Sequence, residues 1–172
     1  MKKFYTFLVV ILLIILSRSF LFNFFFSYKI IDERKVLKLE QKVSNKNLKS
    51  VEDIIHDELN VTSSLLSFTF NKCDSDPNKL LESKKANCIG YSAFLAASID
   101  NKFYSESLNN EWRAEHKVGE IYFLGYNIHP LFKTKFFKDH DFVVIENRKT
   151  NEIIAVDPAL YDYFKISKIK LK

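Results

Sequence analysis

The segment from Phe4 to Phe26 divides the chain before anything else can be said of its fold. Its 23 residues carry one charge, Arg18, and show no polar face at helical spacing. As a helix rising ~1.5 Å per residue, it is long enough for the ~30 Å hydrocarbon core of a bilayer. Lys2 and Lys3 precede it, which predicts a single-pass helix, a cytoplasmic N-terminus and an exported C-terminal domain. The alternative is a cleaved signal peptide and a secreted product, with Phe4–Leu16 as apolar region and Ser17-Arg18-Ser19 around the cleavage point. Cleavage there leaves FLFNFFF as a new N-terminus, a poor start for a soluble protein, so the anchor is preferred. The expected division is a membrane anchor or signal segment over residues 1–27, a charged stalk over 28–49 and one domain over 50–172.

Much of the net charge belongs to the first segment. Lys2, Lys3 and Arg18 are three of 26 basic residues, and residues 1–26 contain no acid, which leaves 23 basic against 21 acidic residues elsewhere. No basic stripe with interleaved aromatics is present, so no nucleic-acid partner is expected. No phosphate-cradling glycine loop and no paired Cys or His spacing of the zinc type occurs, so neither a cofactor nor a metal is expected. The terminal KISKIKLK reads as a solvated edge strand.

Ser50 followed by Asp53 marks a helix start, with Val51, Ile54, Ile55 and Leu59 as its apolar stripe, and predicts a helix over 51–60. SLLSFTF (64–70) fits either a helix end or a strand, CDSDPN (73–78) is a loop, and a helical turn follows over 79–83. The clearest helix is NCIGYSAFLAASID. Asn87 caps it, Cys88 lies in its first turn, and it has almost no polar side, so it should be central and buried. Gly90, Ala93 and Ala97 are expected to let it lie close against a sheet. Strand character follows over 112–118 and 120–128. Helices first and strands after predict an α+β fold with an antiparallel sheet.

The stretch HDFVVIENRKTNEIIAVDP, from His140 to Pro158, reads as a β-hairpin. With NRKT as its loop, Glu146 pairs with Asn151, Val144 with Ile153, Phe142 with Ala155 and His140 with Asp157. Directly opposite Cβ atoms lie ~4.5–5.5 Å apart, so His140 and Asp157 would meet on one face. A slip by one residue would part them. A thiol in the first turn of a helix is favoured as thiolate by the helix dipole and free N–H groups. Cys88 then needs an imidazole, and the imidazole needs a carboxylate to fix its tautomer.

NCIGYSAFL, the later HDFVVIE and then VDPALYD resemble the three signature blocks of the transglutaminase-like superfamily, a branch of the papain-like cysteine enzymes. The resemblance covers residues from about 50 to 165. It implies a papain-like, transglutaminase-core fold whose central cysteine-bearing helix packs on an antiparallel sheet. It also implies Cys88 as nucleophile, His140 as general base and acid, and Asp157 as orienting carboxylate. Many members carry a tryptophan or other aromatic residue two positions after the histidine, where this chain has Phe142. The Cys88 N–H is the natural first oxyanion donor, and Trp112 and Tyr91 are candidates for a second.

The implied chemistry is acyl transfer on a protein or peptide substrate, with hydrolysis preferred over amine transfer. One alternative is a catalytically silent binding module of the same fold at a membrane surface. Another is acyl transfer to an arylamine, which lacks a recognisable cofactor-binding segment. In an exported domain, a Cys73–Cys88 disulfide is the rival expectation, and it would abolish the chemistry. His56 reads as a surface residue, and neither His116 nor His129 has an evident partner.

Overall fold

The computed structural model describes residues 2–41 and 50–172. In chain order it has α1 (Lys2–Leu16), α2 (Arg18–Phe25), β1 (Phe26–Arg34), α3 (Val51–Leu65), β2 (Ser67–Phe68), α4 (Pro77–Ser83) and β3 (Lys85–Ala86). Then come α5 (Cys88–Ser105), β4 (Trp112–Phe123), β5 (Tyr126–Asn127), β6 (His140–Asn147), β7 (Ile153–Val156) and α6 (Pro158–Phe164). The fold is α+β, with an antiparallel sheet in the order β1-β4-β6-β7 and β5 added to β4.

Side-chain alternation explains why both sheet faces are covered. Val143, Ile145, Ile154 and Val156 point to one face and pack with Leu95, Ile99 and Phe103 of α5 and Ile54 and Leu59 of α3. Phe142, Val144 and Ala155 point to the other face and pack with Tyr28 and Ile169. Fully burying one such aliphatic or aromatic side chain is worth about 1.5–3 kcal/mol, and the other side of α5 is buried too, with Tyr91, Phe94 and Ala97 packed on Leu39, Leu66 and Leu80. Gly90 lets α5 lie close against the small β2-β3 sheet rather than the antiparallel one: a Cβ there would meet Ala86 Cβ of β3 at 2.9 Å.

The segment expected to cross a membrane as one helix is broken in two, a pair that reaches spanning length and apolarity only together. α1 and α2 meet at Ser17 with a bend of 65°, and neither helix alone is long and apolar enough to cross a membrane. Polar anchoring accounts for the break. Arg18 Nε donates to the Phe164 carbonyl at 2.8 Å, at the C-terminus of α6, and Asn23 Nδ2 donates to the Lys168 carbonyl at 3.0 Å. These bonds tie α2 to the domain and leave α1 projecting, with Phe4, Phe7, Leu13 and Leu16 exposed.

The expected stalk is also revised. Residues 26–34 form β1, paired along β4 from Phe26 opposite Phe123 to Arg34 opposite His116, while residues 42–49 lie outside the described residues. The strand signal was the alternation of Phe26, Tyr28 and Ile30 with Ser27 and Lys29. The C-terminal segment is not a solvated edge strand. The Ile169 N–H donates to the Ala155 carbonyl, Tyr28 N–H to Lys170 and Lys172 N–H to Tyr28. It thus bonds to both β1 and β7, linking the two ends of the four-strand path.

Three sequence expectations are modified locally. The helix expected over 51–60 runs to Leu65, its N-terminus capped by the Ser50 side chain. The two expected strands over 112–128 are one twelve-residue β4 that turns back through Leu124 and Gly125 into β5. The hairpin register differs by two residues: Val144 faces Ala155 rather than Ile153, and Glu146 faces Ile153 rather than Asn151. The cause is a turn closed by Asn147, whose side chain accepts from the N–H groups of Lys149 and Thr150.

Candidate active site

A register slip of two keeps every side chain on its face, so His140 and Asp157 still meet. They do so diagonally, because β7 ends at Val156 and Asp157 becomes the cap of α6. The separation of His140 Nε2 from Asp157 Oδ2 is 2.7 Å. Asp157 is nearly inaccessible, at 2% exposure, and its charge is fully partnered. Oδ2 also accepts from Tyr28 Oη at 3.0 Å, and Oδ1 accepts from the Leu160 N–H at 3.0 Å. Burial alone would raise its pKa, but the His140 charge and hydrogen bond, the Leu160 N–H and Tyr28 together hold it below the usual carboxylate value.

With Asp157 ionised as acceptor, Nε2 carries the proton, which leaves Nδ1 as the acceptor nitrogen of the neutral ring. Burial works against an imidazolium, yet the Asp157 charge and hydrogen bond, with a contribution from Cys88, raise the His140 pKa well above its ordinary value. Tyr28 packs edge-on against the imidazole, with ring centroids 5.9 Å apart. Its own pKa is raised well above normal, first by burial and then by Asp157, so its hydroxyl stays a donor.

Cys88 is the first residue of α5, beside an Asn87 side chain that accepts from the Gly90 N–H at 3.2 Å. The Cys88 N–H belongs to a first turn, whose N–H groups have no partner within the helix. Cys73 and Cys88 are both free thiols. Cys73 Sγ instead accepts from the Asn87 N–H at 3.2 Å, so it braces the residue before Cys88. The Cys73 pKa is raised, chiefly by burial.

Neither side-chain candidate for the oxyanion donor is at the site. Tyr91 Oη is engaged by the Leu66 carbonyl at 3.0 Å and Asp162 Oδ2 at 2.8 Å. Trp112 pairs with Asn147, at the opposite end of β4 from Gly119, which faces His140.

Two histidines expected to lack partners have them. His116 Nε2 is 2.8 Å from Asp141 Oδ1, deep in the structure, and Arg34 Nε donates to the same oxygen at 2.5 Å. Burial would raise the Asp141 pKa, but His116 and Arg34 bring it below normal. This second histidine–aspartate pair locks β1, β4 and β6 together. His129 accepts from the Ile121 N–H through Nε2 at 2.8 Å and donates from Nδ1 to the Phe137 carbonyl at 2.6 Å. Both its nitrogens are spent on shaping the loop. Exposed His56 lies by Asn60, with Nδ1 3.1 Å from Asn60 Nδ2.

Cys88, His140 and Asp157 share the lining of a cleft of about 420 Å³ with a largely aromatic wall that includes Phe22, Phe26, Phe68 and Phe136. Those wall residues and Tyr28 escaped the sequence reading. Three distant segments supply them, and only the strand alternation around Tyr28 hinted at any of them. Among the described residues, no cluster of three or more His, Cys, Asp or Glu is placed to hold a metal ion.

The arrangement defines a class: an α+β domain with a thiol, an imidazole and a buried carboxylate in the lining of an apolar cleft. No family model matches the chain, and no curated protein or solved structure matches it either.

Proposed function

We propose that the protein is a cysteine-dependent acyl-transfer enzyme of the transglutaminase-like kind, with Cys88, His140 and Asp157 as its triad. One observation carries this reading: a first-turn helix thiol lines the same cleft as an imidazole whose Nε2 is held by a buried, fully partnered carboxylate. In the mechanism, His140 Nδ1 takes the Cys88 proton and Sγ adds to an acyl carbonyl carbon. The Cys88 N–H, in the first turn of α5, stabilises the oxyanion. The C–O or C–N bond then breaks as the imidazolium protonates the leaving group. Water, deprotonated by His140, cleaves the thioester and restores the thiol; an amine in its place would give transfer.

Asp157 holds the ring by its Nε2–H and stabilises the imidazolium without taking the proton. Membrane association through α1 belongs to the same proposal. At ~1.5 Å per residue its 15 residues span ~22 Å, short of the ~30 Å core, which favours insertion at one leaflet. The test is intact-mass detection of an acyl-enzyme after rapid quench with activated esters. The adduct should map to Cys88 and be absent in Cys88→Ala.

A binding module without chemistry is the second reading, favoured by the apolar character of the cleft wall. That reading predicts ligand retention with no covalent adduct.

A further inference from the structure

Apart from Cys88, His140 and Asp157, the cleft offers a ligand few hydrogen bonds. Its other polar side chains are His129, Asp139 and the hydroxyls of Tyr28 and Tyr163, that of Tyr28 being spent on Asp157. His129 has both nitrogens occupied, and the Asp157 oxygens are already bonded to Tyr28, His140 and Leu160. A peptide lying along such a wall carries one donor and one acceptor per residue, and each buried unpaired group costs about 1–3 kcal/mol. A hydrocarbon chain carries none. The volume, about 420 Å³, falls within the ~300–1,000 Å³ usual for small-ligand sites.

The origin of the walls points the same way. Phe22 comes from α2 and Phe26 from the turn into β1, directly after the apolar α1. The cleft lining also includes aromatic rings that reach solvent: Phe70 is 71% exposed, Tyr163 63% and Phe164 60%. Exposed aromatics beside an apolar helix are the composition of a membrane interface.

We propose that the cleft receives the acyl chain of a membrane lipid, entering alongside α2 so that its ester carbonyl reaches Cys88. This deepens the acyl-transfer reading and rests on it. The Sγ–C bond forms as the C–O bond to the lipid alcohol breaks, and the thiol proton passes through His140 to the departing oxygen. Water then cleaves the thioester, releasing a fatty acid and returning the thiol.

The test uses the full chain in vesicles of ether-linked phosphatidylcholine, which contain no ester, with p-nitrophenyl acetate and p-nitrophenyl palmitate as probes. The expected result is Cys88-dependent turnover with kcat/KM higher for palmitate by at least about tenfold. In Phe136→Asp the palmitate-to-acetate ratio should fall by a similar factor. A photoreactive diazirine palmitate, irradiated with Cys88→Ala, should label peptides containing Phe22 or Phe136.

Turnover of both esters at equal efficiency, without photolabelling, overturns the lipid inference and leaves the triad standing. Preference for a phenylalanyl p-nitroanilide over palmitate overturns it in favour of a peptide substrate. Photolabelling without Cys88-dependent turnover upholds the acyl-chain ligand and removes the enzyme reading instead.

Discussion

Tyr28 and Asp157 are 129 residues apart in sequence and joined by a 3.0 Å hydrogen bond at the centre of the site. Tyr28 lies on the edge strand β1 and Asp157 follows β7 at the far end of the same sheet path. They meet because the C-terminal segment bonds to both strands, at Tyr28 and at Ala155. The carboxylate that orients His140 is therefore held by the first strand of the fold.

Tyr28→Phe should act as loss of a positioning residue. The hydrogen bond from Tyr28 helps lower the Asp157 pKa, so its removal should move the acid limb of the kcat/KM profile to higher pH. A stability loss of about 1–2 kcal/mol is expected from the missing bond. A pH profile and a urea titration of both proteins read the two effects separately.

Stability should depend on pH through the same pair. The His140 pKa is raised on folding, so its contribution is complete below about pH 6.5, the unfolded value, and is lost as pH rises through the folded one. The Asp157 pKa is lowered, so its contribution is complete above about pH 3.9 and lost as pH falls through the folded value. Together they stabilise most between those limits. His140→Ala should flatten the alkaline side of the stability curve.

Asp141→Ala should destabilise by about 1–3 kcal/mol, because it leaves the buried His116 and the partly exposed Arg34 guanidinium without their shared acceptor. Denaturant midpoints at fixed pH provide the comparison. A neutral result would remove this network from the account of how β1 is held.

Gly119→Ala should be costly although the residue lies in a regular strand. A Cβ there would sit 2.6 Å from Phe142 Cε1 and 2.7 Å from the Lys29 carbonyl oxygen. Backbone on one side and a fully buried ring on the other leave no room to yield, so a loss of about 1–3 kcal/mol is expected. Because Gly119 faces His140, Cys88 reactivity should fall with it.

Local chemistry made parts of this fold legible in sequence. The Ser50 and Asn87 caps, the buried helix behind Cys88 and the two-faced apolar hairpin each follow from spacing within a few residues. The hairpin register was misjudged by two because Asn147 closes the turn with its side chain, yet the period of two preserved the face. What stayed hidden depends on contacts between distant residues. Arg18 bends the N-terminal helices by reaching the α6 carbonyls, Asp141 finds His116 across the sheet, and Phe22, Phe68 and Phe136 converge on one cleft. No local pattern announces such pairings.

The central claim is that Cys88 and His140 act as one unit. The most direct measurement is the rate of iodoacetamide alkylation of Cys88 from about pH 5 to 9, in the full chain carrying Cys73→Ser so that a single thiol reports. The account predicts fast labelling already near about pH 6, lost when His140→Ala is added. A single titration near about pH 8.5, unchanged by His140→Ala, would contradict it.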